Sequence, residues 1–229
     1  MDNDKIITAR IEDKLEQCER GSYITATGFL NMHEQSLAMR IVRGRSDVKS
    51  FFYGGYDDAE RRIIIFVPDG YADTLEDVLE MISLLSVLHI KVAPGSRKLT
   101  HRDYLGSVLS LGLDRSVIGD ILVNDKGADM IVNSEIVDFL LSEFHSAGHT
   151  NLQITASDIG ELEVPEQRVK AVRDTLSSPR LDNVVSAAFH VSRSEAVRAI
   201  KGGIVFVNHE EVTKIDKRID EGDTIVLRG

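Results

Sequence analysis

Apolar residues recur at helical spacing through Ile7, Ile11, Leu15 and Cys18 until Gly21 interrupts them, which predicts an amphipathic helix over 5–20. A second helix is expected from Asn31, with Glu34 three positions on and Leu37, Ala38, Ile41 and Val42 along one face. Residues 49–53 and 62–67 read as the strands of a hairpin joined through 54–60, and both helices are expected to pack on it. Thr74 with Asp77 then opens a helix bearing Leu75, Val78, Leu79 and Ile82. Residues 1–84 therefore read as an N-terminal α/β unit.

From Ser86 the pattern becomes regular: strand 87–93, helix 101–111, strand 118–123, strand 128–132, helix 135–146, strand 150–155. Thr100 with Asp103 caps the first of these helices, Gly112 ends it, 124–127 forms a hairpin turn, and Gly148 stops the second helix. The order βαββαβ over 85–160 is the ferredoxin-like topology that RNA-recognition-motif modules share. Topology by itself does not imply RNA binding. The candidate central strand, Ala128 to Val132, lacks the stacking aromatics of that module, so a scaffold role is expected. Residues 156–179, with Pro165 and Pro179, read as a linker carrying a strand at 168–174.

The last fifty residues carry the strongest functional pattern. Leu181, Val184, Val185 and Ala188 repeat at helical spacing, and Ala196, Val197 and Ile200 follow after a break. Ser192 stands three residues before Glu195 as a capping box, and Gly202-Gly203 ends the second helix. Strands are expected at 204–207 and 224–227, with His209-Glu210 as the intervening turn. Arg193 falls in the first turn of the second helix, where open amides and a guanidinium together favour a phosphate. Arg198 and Lys201, three apart, share a face opposite the apolar stripe.

This stretch resembles the S4 (S-four) RNA-binding domain, named after a small-subunit ribosomal protein, through Arg180-Leu181-Asp182, Ser192-Arg193, Ala196, Ile200, Gly203, Val205, Val207-Asn208, Gly222-Asp223 and Ile225. The resemblance implies that residues 175–229 bind structured RNA. It makes Arg180, Arg193 and Lys201 the principal contacts, with Arg198, Lys214, Lys217 and Arg218 at the margin. The chain departs from the family at His209-Glu210, where Gly and a basic residue are common, and Glu210 is expected to weaken phosphate contact there. Taken whole, the fold class is α+β.

A net charge of −10 over 229 residues looks unsuited to RNA, but eight basic and eight acidic residues balance from Arg180 onward. The acidic excess lies entirely before that point. Such a distribution disfavours indiscriminate binding and calls for a shaped target such as a ribosome. With 42% hydrophobic residues the chain folds. It has no run of about 18 apolar residues and no signal-peptide core, so membrane insertion is not expected and a cytoplasmic location is. Cys18 is the sole cysteine, leaving neither an internal disulfide nor a zinc cluster.

Two further stretches, Phe52-Tyr53-Gly54-Gly55-Tyr56 to Ala59-Glu60-Arg61, and Thr100 to Gly106 continuing through Leu111-Gly112-Leu113, Arg115 and 118–122, are similar to the YlmH family. That resemblance covers about 25–229. It implies binding to ribosomal RNA or tRNA at the large ribosomal subunit, a place in translation quality control, and a contextual link to cell-division proteins. Arg61, Arg62, His101, Arg102 and Arg115 then form either a second RNA surface or a capped helix start with ion pairs to Asp103 or Asp120.

No catalytic constellation is legible. His101-Arg102-Asp103 imitates a kinase loop, but Val108 stands where the metal-binding Asn belongs, and no phosphate-binding P-loop occurs. His145 and His149 lie on either side of Gly148 without a convincing third ligand. The expectation is a non-enzyme with no cofactor and no metal. Two alternatives stay open: an RNA-modifying enzyme such as a pseudouridine synthase, because S4 domains are often fused to these, and a protein-interaction module in cell division.

Overall fold

The computed structural model describes residues 2–43, 45, 47–164, 171–208 and 210–228. Its elements are α1 (Asp2–Gly21), β1 (Thr25–Ala26), α2 (Met32–Val42), β2 (Val48–Tyr53), β3 (Ile63–Pro68), α3 (Leu75–Met81), β4 (Leu85–Val92), α4 (His101–Leu109), β5 (Ile118–Asn124), β6 (Gly127–Asn133), α5 (Val137–Glu143), β7 (Ser146–Ala147), β8 (Thr150–Asp158), α6 (Leu181–Ala188), α7 (Arg193–Lys201), β9 (Val205–Val207), β10 (Glu210–Glu211) and β11 (Ile225–Leu227). Contacts divide it into two compact units, Met1–Asn31 with Ile41–Glu166, and Met32–Arg40 with Gln167–Gly229.

In the first unit, β2 and β3 form the expected antiparallel hairpin, and β1 adds to its far edge. All six residues of β3 are buried, as a central strand covered on both faces requires. The following five-stranded sheet has the order β5-β6-β4-β8-β7, with every pair antiparallel. Without the short β7 this is the ferredoxin-like order. Leu88 and Ile90 of β4 face a core with Tyr104, Val108, Leu140 and Phe144, contributed by the helical layer. Their neighbours on the strand point to the opposite face, as strand alternation demands. At one end of that face Leu85 and Ile131 join Phe29, Ile63, Ile65 and Val67 in a core shared with the three-stranded sheet. Thus 1–84 and 85–160 pair as separate sheets yet bury common surface. At that seam a Cβ on Gly119 would lie 2.7 Å from the Phe29 ring, so the bare backbone is what admits the ring.

A polar network reinforces the same seam. The Asp120 carboxylate accepts from the Tyr56 hydroxyl at 2.9 Å and from the amides of Glu60 at 2.7 Å and Arg61 at 3.1 Å. Burial first, and the Asp120 charge second, push the Tyr56 hydroxyl well above the usual phenol range. Cys18 lies fully buried, with its thiol pushed up to about 11 by burial and then by Glu19.

Several expectations are corrected. Residues 32–40 of α2 group with the C-terminal unit rather than with the hairpin. The buried residues of α2 are Met32, Gln35, Ser36 and Ala38; of the predicted apolar stripe only Ala38 is among them, and Leu37, Ile41 and Val42 are half-buried. Ser36 is tolerated inside because its hydroxyl donates back to the Met32 carbonyl at 3.1 Å. The helix expected over 135–146 is a 3₁₀ turn at Ser134–Ile136 followed by the shorter α5. It ends early because 146–147 turn back about Gly148 to pair with 150–151 as β7. Of the strand expected at 168–174, residues 168–170 lie outside the described residues, and 171–174 form no strand.

In the second unit α6 and α7 pack over the sheet β10-β9-β11 around Leu181, Val185, Ala196, Ile200, Val205 and Val207. Glu210 belongs to β10, paired with Val207, and not to a turn; His209 lies outside the described residues. Gly203 takes a φ of +72° after the helix, and a Cβ there would meet the Glu211 carboxylate at 2.7 Å. The motif pair Asn208 and Asp223 is structural. The Asn208 amide donates to Asp223 at 2.7 Å while its carbonyl oxygen accepts from the Thr224 amide, pinning β9 to the entry of β11.

Candidate nucleic-acid interface

The basic residues of the C-terminal unit are organised by one buried acid. Asp182, in the first turn of α6, is 1% exposed. Its Oδ1 accepts from Arg180 Nε at 3.0 Å, and its Oδ2 accepts from Arg180 at 3.3 Å and from Arg193 Nε and an Arg193 terminal nitrogen at 3.1 and 2.9 Å. The arginine side chains remain 40% and 63% exposed. Each guanidinium is therefore held by one edge and presents the other to solvent, the arrangement that suits a planar fork for a phosphate.

Burial works against the Asp182 charge, but the bonds from Arg180 and then Arg193 outweigh it and hold the carboxyl below its usual value. The stabilisation from that depressed carboxyl is present above about pH 4, the ordinary unfolded value, and is lost as pH falls through the lower folded value. Asp182→Asn should cost the unit about 1–3 kcal/mol at neutral pH. In thermal melts that loss should shrink once the pH is below about 3. An equal loss at both pH values would mean that the carboxylate charge plays no part.

The segment after β10 closes on the same spot. Leu181 and Asp182 donate their amides to the carbonyls of Lys217 and Ile215 at 2.8 and 3.1 Å, and Arg180 and Arg218 form an isolated antiparallel bridge. These bonds satisfy the opening amides of α6 and bring the backbones of Arg180, Lys217 and Arg218 side by side. Arg218 reaches Asp220 at 3.2 Å, and Lys214 lies 4.0 Å from Asp216, both on the surface. Arg198 and Lys201 are exposed on α7, opposite the buried Ala196 and Ile200.

At the start of α7 the cap takes up the Glu195 amide, one of those expected to be open. Ser192 and Glu195 form a full capping box, with the Glu195 carboxylate 2.8 Å from the Ser192 amide. That negative group opposes a phosphate at the helix end. The attraction at this point therefore comes from the Arg193 guanidinium.

The basic residues of the first unit have different partners. Arg61 donates to the carbonyls of Phe29, Ile118 and Arg115 at 2.9, 3.1 and 3.3 Å. Arg62 holds the 54–60 connection through the carbonyls of Ala59 at 2.9 Å and Asp57 at 2.7 Å. Arg115 donates to the carbonyls of Ile118 and Gly119, and burial, then the charge of Arg61, lowers its guanidinium to about 10. His101 and Arg102 are exposed in the first turn of α4, where Thr100 and Asp103 form a capping box and Asp103 pairs with Arg97 at 2.7 Å.

Residues 84–161 match the family described as "Putative RNA-binding domain in YlmH", and 179–225 match the S4 domain. A protein of Bacillus subtilis (strain 168) named ribosome-associated protein quality control protein P2 is 32% identical over 203 residues, which cover 89% of this chain and 77% of that protein. The chain belongs to the YlmH family. The solved structure of cell division protein ylmH from Streptococcus pneumoniae aligns with TM-score 0.55 over 69% of this chain and 93% of its own, at 20% identity, a likeness of fold.

In this member of the YlmH family, the S4 resemblance singled out Arg180, Arg193 and Lys201 as candidate contacts but gave Asp182 no role beside them. Its only signal was its place in the Arg180-Leu181-Asp182 triplet. Among the described residues, no helix is long and apolar enough to cross a membrane, and no group of three or more His, Cys, Asp or Glu side chains could hold a metal ion.

Proposed function

We propose that the chain is a cytoplasmic, non-catalytic protein that binds structured ribosomal RNA and tRNA at the large ribosomal subunit, in translation quality control. The observation that carries this reading is the Asp182 fork, which preorders two exposed guanidiniums for phosphates. The name of the 32% identical relative supports the ribosomal setting. Arg180, Arg193, Arg198, Lys201, Lys217 and Arg218 supply the surface, with Lys214 at its edge. Arg61, Arg62 and Arg115, whose guanidiniums already serve carbonyls, have structural roles. The sequence units for this work are 1–84, 85–160 and 175–229. The basic, preordered face favours RNA over a cell-division protein as partner.

Sucrose-gradient sedimentation of cell extracts tests the proposal. Wild type should travel with large subunits, and an Arg180→Ala/Arg193→Ala variant should stay at the top of the gradient. Wild type that stays at the top would overturn the ribosomal reading. A double variant that travels unchanged would overturn the assigned surface.

A further inference from the structure

The open part of the ferredoxin-like sheet carries a second constellation. On the face opposite the helical layer, His89 of β4 stands between Asp129 of β6 and Thr155 of β8 by strand register. Both ring nitrogens are engaged: Nδ1 with Asp129 Oδ1 at 2.6 Å and Nε2 with Ser157 Oγ at 2.8 Å. The other Asp129 oxygen accepts from the Asn124 amide at 3.2 Å. A flat ring is thereby held in one orientation on a central strand. It lines a cavity of about 650 Å³ whose charged wall residues are Lys91, Lys126, Asp125, Asp129, Glu161 and Glu163.

The order Ser157, His89, Asp129 is that of a hydrolytic triad. However, Ser157 Oγ also lies 3.2 Å from the Asp158 carbonyl, and Glu161 and Glu163 share the cavity. Two carboxylates oppose the oxyanion that a nucleophilic serine would have to stabilise. The same groups suit a different ligand. A fixed aromatic ring on the central strand of such a sheet is a stacking surface for an unpaired base. Phosphates are confined to the end of the cavity at Lys91 and Lys126, where the one carboxylate, Asp125, is already paired with Lys98 at 3.3 Å. The acceptors of the cavity wall, Asp129 beside the ring together with Glu161 and Glu163, favour a base edge that donates through an exocyclic amine, as cytosine does through N4.

We propose that this face is a binding site for one unpaired, amino-bearing nucleotide of single-stranded RNA, with its base stacked on His89 and its phosphates toward Lys91 and Lys126. The site deepens the RNA-binding reading above and is separate from the Asp182 fork. It gives the central sheet a ligand of its own where the sequence suggested a scaffold.

The test uses the full chain and fluorescently labelled hexacytidylate and hexauridylate, two pyrimidine strands that differ at the amine. Hexacytidylate should bind at least about fivefold more tightly than hexauridylate. His89→Ala should weaken it by at least about fivefold, the scale of one lost base stack. His89→Phe, which keeps a flat ring, should bind more tightly than His89→Ala, and thermal melting confirms that both variants are folded. Equal binding of the two strands, unchanged binding by His89→Ala, or a Phe variant no better than Ala would each overturn the site. The Arg180→Ala/Arg193→Ala variant separates the two readings. It should keep hexacytidylate binding while losing structured RNA. If it loses both and the His89 variants lose neither, the sheet site is wrong and the fork stands. If it loses neither and the His89 variants lose both, the fork is wrong and the sheet site stands.

Discussion

Removing Arg193 and Lys201 together is expected to flatten the salt dependence of RNA binding by up to about two units in the log-log slope, because each lost phosphate contact returns about one counterion to the strand. Both residues are exposed in α7, and Arg193 is oriented by Asp182. Affinity should fall across RNA sequences without a change in preference, as loss of phosphate rather than base contacts requires. The comparison is with Arg102→Ala, measured over a salt series after melting curves show that all variants are folded. Arg102 lies in the first turn of α4, away from the Asp182 cluster in sequence and in hydrogen-bond partners. Wild-type binding by the α7 variant alongside failure of the Arg102 variant would move the working surface to the first unit.

Replacing Arg61 by Ala should destabilise the first unit by about 3 kcal/mol while leaving RNA affinity intact at low temperature. The guanidinium donates to three carbonyls from two stretches of chain, that of Phe29 and those of Arg115 and Ile118. Charge-assisted bonds of this kind contribute about 1.5–3 kcal/mol each, and the abandoned carbonyls would not all find replacements. Since the chain has two units, denaturant unfolding should be followed by probes in each, and only the transition of the first unit should shift. A variant as stable as wild type that no longer binds RNA would restore Arg61 to a second RNA surface.

Much of the fold was legible because the relevant forces are local. Thr74-Asp77, Thr100-Asp103 and Ser192-Glu195 all form the capping boxes their three-residue spacing announced. A cap needs only neighbours within one turn. The order of strands and helices likewise gave the ferredoxin-like sheet. In the C-terminal stretch, the spacing of Leu181, Val185, Ala196 and Ile200 marked the core of the S4 domain.

What only the tertiary structure decided is the partner of each charged group. Asp182 and Arg193 are eleven residues apart and on different helices; Arg61 and Ile118 are separated by fifty-seven, and His89 and Ser157 by sixty-eight. No period or cap reports such pairs. Sequence reading therefore left Arg61, Arg115 and Arg102 between a second RNA surface and structural pairing, whereas two of them are tied to carbonyls at a sheet seam. It passed over Asp182 and His89, whose neighbours are supplied by helix packing and strand register. Outside α2, whose buried face differs from its apolar stripe, the hydrophobic pattern determined which surfaces would be buried, because burial depends on each residue's own affinity for water. Which polar groups meet at the edges of those surfaces depends on geometry fixed only when distant segments dock.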